Sequence, residues 1–186
     1  QGRRLNKVLA NTLTCNSIYL RQIMQQYAAG KSDDLAYRLA RRNAHNADAA
    51  LSTTLANMLM EPGHFRKEAD VGFRFLVLSH TLLSYLSGLG AHRETQLPAE
   101  VREHLIEGAG NTLAASIDEI ATGLANKQPI AIQSDAEEAL AVELEQMPDE
   151  IDEGQRLVQT QLALICRQLG PLRTLAAHLI KDTRAA

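Results

Sequence analysis

Between Arg74 and Arg93 the chain carries no Lys, Arg, Asp or Glu. The wider run, residues 71–93, reads VGFRFLVLSHTLLSYLSGLGAHR, with large apolar side chains at Phe73, Phe75, Leu76, Val77, Leu78, Leu82, Leu83, Leu86 and Leu89. At helical spacing these fall on more than one side, the pattern of a helix buried nearly all round. The run is long enough to span a bilayer, which takes about 20 apolar residues. Its composition argues against a span: Ser79, His80, Thr81, Ser84, Tyr85, Ser87 and two glycines interrupt it, and polar groups are costly at bilayer centre. The expectation is a central core helix over about 65–92, wrapped by amphipathic neighbours.

The rest of the chain supplies those neighbours. Leu and Ala dominate while aromatics make up 4% of residues, which suits helices and gives β-sheet little to pack with. At 186 residues, 45% apolar and 22% charged, the chain can bury a core of its own. The fold class expected is all-α, a single helical bundle of about six helices in one soluble domain over 1–186.

Prolines and glycines punctuate the helices. Residues 3–28 form a long amphipathic helix ended at Gly30. Ser32 or Asp33 caps a second, which runs to about Met60 and stops before Pro62. The core helix begins after His64. Pro98 with Glu100 opens a fourth helix reaching about Ala125. Ser134 and Asp135 cap a short acidic helix ending near Met147. Pro148-Asp149-Glu150 opens the last, which Gly170-Pro171 kinks or breaks.

Net charge is −3, so attraction of the whole molecule to nucleic acid is not expected. The charge is uneven. Residues 1–48 hold eight Lys or Arg against three acids, whereas residues 135–153 hold nine acids and no base. These read as two solvated faces that attract each other weakly, or as a basic end lying near anionic lipid headgroups. Cys15 and Cys166 are far apart and make no disulfide framework, so a reducing compartment is the default. The chain begins Gln-Gly, without Met, and is expected to be a piece of a longer protein.

Two polar clusters are candidates for function. On the second helix Arg38, Arg41, His45, Asp48 and Ser52 fall along one side, with Arg42 and Asn46 beside them. Such a row can bind an anion through a guanidinium fork, or can serve as internal hydrogen bonding between helices. The second cluster is His80 with Thr81, Ser84, Tyr85 and Ser87, followed by His92 and Arg93. The histidine-bearing faces of the second and third helices are expected to meet. The candidate set is therefore Arg38, Arg41, Arg42, His45, Asn46, Asp48, His80 and His92. A metal site is not expected, because HExxH and paired Glu-x-x-His motifs are absent. Nucleophile-elbow, P-loop and dinucleotide fingerprints are absent too, so no catalytic residue, cofactor or enzymatic activity is expected.

Residues 40–62, ARRNAHNADAALSTTLANMLMEP, and 73–93 resemble the C-terminal soluble region of the YccS/YhfK group of bacterial inner-membrane proteins, in the fusaric acid resistance (FUSC) transporter superfamily. That resemblance implies a polytopic parent, with this stretch on the cytoplasmic face after the last membrane helix. It implies efflux at the family level and a regulatory or assembly role for the stretch itself. Arg3, Arg4 and Lys7 would then match the positive-inside rule. The partners expected are the membrane portion of the same chain, further copies of it and, in a second reading, a small organic anion sensed by the bundle.

Overall fold

The computed structural model describes residues 2–29, 34–63 and 66–185. Among them the chain forms six helices and no strand, so the all-α bundle is observed. They are α1 (Gly2–Ala29), α2 (Asp34–Met60), α3 (Arg66–Ala91), α4 (residues 99–126), α5 (Asp135–Glu145) and α6 (Glu153–Ala185). One continuous apolar core draws on all six. The expected stops and caps at Gly30, Ser32, Asp33 and His64 lie outside the described residues.

α1 is the most enclosed helix; the helix expected at the centre over about 65–92 is α3, which packs against α1, α2 and α6. α1 packs against α2, α3, α4 and α6. As far as Gln25 its exposed positions form a strip one residue wide: Arg4, Lys7, Asn11, Thr14, Ile18, Arg21 and Gln25. Everything between them is wholly or largely buried, including Asn6, Thr12, Asn16, Ser17 and Gln26. α3 instead buries Phe75, Ser79, Leu82, Leu83, Leu86 and Leu89 and leaves Arg74, Val77, His80 and Ser84 open, Val77 at 64%. Absence of charge misled because serine and histidine face water at little cost. Of α1's buried polar side chains, Asn6, Thr12 and Ser17 find partners inside, whereas both amide atoms of Asn16 do not. Asn6 Nδ2 donates to Thr183 Oγ1 at 2.9 Å, and Ser17 Oγ donates to the Ala114 carbonyl at 3.3 Å.

α4 starts after Pro98 as expected, with the Arg102 amide bonded to the Pro98 carbonyl at 2.9 Å. Between Ala99–Arg102 and Asn111–Asn126 it is wound as a π-helix over Glu103–Gly110. Gly110 there lies against Met24 of α1, where a side chain would collide with the sulfur. The helix ends on Lys127 in the left-handed region, φ 54°, with the Gln128 amide returning to the Gly123 carbonyl at 3.0 Å.

α5 begins on Ser134, whose hydroxyl accepts from the Glu137 amide at 3.3 Å. α6 begins later than Pro148: Asp152 takes the capping role, its Oδ2 accepting from Gly154 at 3.0 Å and Gln155 at 3.3 Å. Residues 148–151 form a turn instead. Gly170-Pro171 does not divide α6, which stays helical from Glu153 to Ala185. Pro171 is exposed, so the Arg167 carbonyl that loses its helical hydrogen bond lies on the water-facing side of α6.

Candidate functional site

The outer faces of α2 and α3 meet as expected. His80 Nδ1 donates to Asp48 Oδ2 at 2.8 Å; His80 is 65% exposed and Asp48 17%. The second oxygen of Asp48 is shut off from water and has no hydrogen-bond partner. His45 stands close enough to Arg41, Asp48 and His80 to feel all three. Burial lowers its pKa below the ordinary 6.5, Arg41 and His80 lower it further, and Asp48 opposes them. These four residues therefore form one group on the bundle surface.

The other candidates lie elsewhere. Arg42 and Asn46 are exposed on the side of α2 that turns away from α3. Arg38 is exposed one turn before Arg41. His92 follows the last residue of α3, roughly 18 Å along the helix from His80 at 1.5 Å per residue. Among the described residues no group of three or more His, Cys, Asp or Glu side chains could hold a metal ion.

A more enclosed polar arrangement sits where α1 ends, α3 ends and α4 begins. Here Tyr19 and Tyr37 approach with ring centroids 5.8 Å apart at 53°. Gly90 of α3 is pressed against them: a Cβ on it would stand 2.6 Å from Tyr37 Oη and 3.3 Å from Tyr19 Oη. Burial pushes the Tyr19 phenol up to about 12, and burial likewise raises Tyr27, whose hydroxyl donates to the Leu89 carbonyl at 2.7 Å. The Arg93 guanidinium lies over the Tyr37 ring, 4.4 Å from its centroid, and one amino group donates to the Gly90 carbonyl at 3.0 Å. Its Nε–H is buried without an acceptor. Beside it opens a cavity of about 510 Å³ that Arg102 also lines.

A third feature joins α4, α5 and α6. Arg173, 2% exposed, is forked between Glu137 and Glu119: Nε donates to Glu137 Oε2 at 2.7 Å and Nη2 to Glu119 Oε2 at 3.0 Å. Burial works against its charge, but the hydrogen bonds to Glu119 and Glu137 outweigh it and the pKa is raised. The Arg173 hydrogen bond holds Glu119 below the usual carboxylate range. Next to it the Cys166 thiol donates to the Glu137 carbonyl at 3.2 Å, and burial pushes it up to about 11, so it stays a thiol near neutral pH. Outside this pair Arg167 joins Glu138 and Glu145, and His104 Nε2 meets Glu143 at 2.6 Å. The acidic run 135–153 thus finds its partners on α6 and α4, and the expected attraction to residues 1–48 is corrected.

Arg173 and Arg102 were not in the candidate set read from sequence. Each is a single arginine on an amphipathic helix, and its partners or cavity come from distant parts of the chain. Arg93 was visible beside His92, but its stacking on Tyr37 was not.

Comparison with known proteins adds the following. The chain is 44% identical over 101 residues to the inner membrane protein YccS of Escherichia coli, a match covering 54% of this chain and 14% of that protein. An uncharacterized protein of Haemophilus influenzae is 50% identical over 91 residues, covering 49% of this chain and 13% of that one. Uncharacterized protein ORF2 of Neisseria gonorrhoeae is 33% identical over 87 residues, 46% of this chain and 21% of that one. The chain therefore corresponds to a small part of each relative. No family model and no solved structure matches it. Half of the chain resembles part of an inner-membrane protein, while no helix among the described residues is long and apolar enough to cross a membrane.

Proposed function

We propose that this chain is a cytoplasmic-face, non-catalytic domain that regulates or assembles a bacterial inner-membrane efflux transporter of the FUSC superfamily. The observation that carries the reading is the 44% identity to part of YccS, combined with a bundle that contains no membrane-spanning helix among its described residues.

One end of the bundle supports it. The start of α1, the end of α2, the start of α3 and the end of α6 gather there: Leu5 and Leu55 both lie beside Gly72, and Asn6 bonds to Thr183. Among the described side chains this end holds Arg4, Lys7, Lys67, Lys181 and Arg184, with Glu61, Glu68, Asp70 and Asp182. Bases near a membrane set orientation, and acids contribute little to that bias. Met60, 86% exposed, and Leu59, 47% exposed, stand at the same end and can enter the headgroup region.

The test uses the full-length parent in living cells. A cysteine placed at the exposed Arg42 should react with a membrane-impermeant maleimide only after lysis. Labelling of intact cells overturns the cytoplasmic placement. Deleting the domain should leave the parent membrane-inserted but change its oligomer size or efflux rate. No change in either overturns the regulatory and assembly role.

A further inference from the structure

The cavity between the ends of α1 and α3 and the start of α4 has the makings of a ligand site. Its volume of about 510 Å³ lies within the range of small-molecule pockets. Among the described residues its lining holds two guanidinium groups, Arg93 and Arg102, and one carboxylate, Glu94. Tyr27 and Leu97 add an apolar wall.

Arg93 is fixed in place. One face lies on Tyr37, one amino group is engaged by the Gly90 carbonyl, and the buried Nε–H has no acceptor. The buried Nε–H is out of the cavity's reach, but the second amino group of the guanidinium makes no hydrogen bond among the described residues and can meet an oxyanion with a charge-assisted bond. The side chain needs no reordering to receive one, so little rotamer entropy is lost on binding.

The other large cavity, about 480 Å³ over α5 and α6, offers nothing comparable. Its Arg167 is already taken by Glu138 and Glu145, and its Glu137 by Arg173. The Arg41–His45–Asp48–His80 group carries an anion of its own in Asp48.

The geometry points to Arg93 and Arg102 as the two jaws of a site for a small soluble oxyanion, a carboxylate or a phosphate. A lipid headgroup shares this chemistry. The site, however, lies at the far end of α1 from Arg4, roughly 37 Å away at 1.5 Å per residue, so a membrane at the basic end would not reach it. Binding is a property of the bundle by itself and holds whether or not the transporter reading does.

The experiment is calorimetric titration of the 186-residue chain with inorganic phosphate and with citrate, beside vesicles of phosphatidylglycerol. At least one free anion should bind. Arg102→Gln should weaken it about tenfold, the loss of one charge-assisted bond. Arg21→Gln, which removes an equal charge from the exposed pair with Asp118, should change it less than about twofold. Arg93→Lys keeps the charge but not the fork, and should also weaken binding with an unchanged circular dichroism spectrum. No heat with either anion up to about 10 mM, the weakest range such an assay reads, overturns the proposal. So does equal affinity in Arg102→Gln and Arg21→Gln, or binding to vesicles alone.

Discussion

Two of the ionic contacts that join helices in this bundle differ in almost everything except chemistry. His80–Asp48 bridges α3 and α2 at the surface, with the histidine 65% exposed. Arg173–Glu137 bridges α6 and α5 with side chains 2% and 9% exposed. The first lies in the stretch most noticeable in the sequence, yet solvent screens it and its worth is small. The second uses one arginine in an ordinary amphipathic helix, yet its removal strands a carboxylate where water cannot reach. Conspicuous polarity in a sequence and energetic weight in a fold are separate properties.

That contrast can be broken most directly at Arg173. Arg173→Met should cost about 3–5 kcal/mol in urea unfolding, because Glu137 is left buried and uncompensated. The double variant with Glu137→Leu should recover most of the loss; a loss below about 1 kcal/mol for the single change would show the pair is not desolvated.

Gly90→Ala comes next, at about 1–3 kcal/mol, since its methyl would stand 2.6 Å from Tyr37 Oη. A matching rise in tyrosine fluorescence anisotropy decay is not required, but the thermal midpoint must fall.

His80→Ala should shift stability by less than about 1 kcal/mol, measured by the same melts. A larger effect would place the surface contact on a par with the buried one and remove the distinction.

The smallest effect is a dependence on pH. His45 has its folded pKa lowered, so the folded state binds fewer protons than the unfolded one. Its contribution is complete above the ordinary 6.5 and is lost as pH falls through the folded value. Glu119 has the same sign lower down, complete above 4.5 and lost on further acidification. His45→Gln should flatten stability just below neutrality and leave the Glu119 limb intact; an unchanged profile near neutrality would contradict the lowered pKa.

Helix boundaries were largely legible because local chemistry sets them. Pro62, Pro98 and Ser134 mark ends or starts within a residue or two of where they were expected. The opening of α6 was missed because Pro148 is a strong local signal, whereas Asp152 competes through a side-chain bond visible only in the folded turn. Rank within the bundle was not legible. α1 and α3 are both long and apolar, and only the packing reveals that α1's strip of exposed residues is the narrower. The pairing of Asp48 with His80 followed from two adjacent amphipathic helices. Arg173 and Glu119 are 54 positions apart, on helices whose relative rotation no spacing rule supplies.

The π-wound segment Glu103–Gly110 has a consequence for how this chain tolerates length change. Each of its backbone loops closes over one more residue than an α-turn does. The helix on either side is α-helical; the longer flank, Asn111–Asn126, is held by contacts with α1 and α6, while Ala99–Arg102 buries no residue. Removal of a single exposed residue there, such as Glu107, would let the segment tighten into the ordinary winding while both flanks keep their facing. Among the described helices α4 is thus the long one with slack in it, and the place where loss of one residue should cost least.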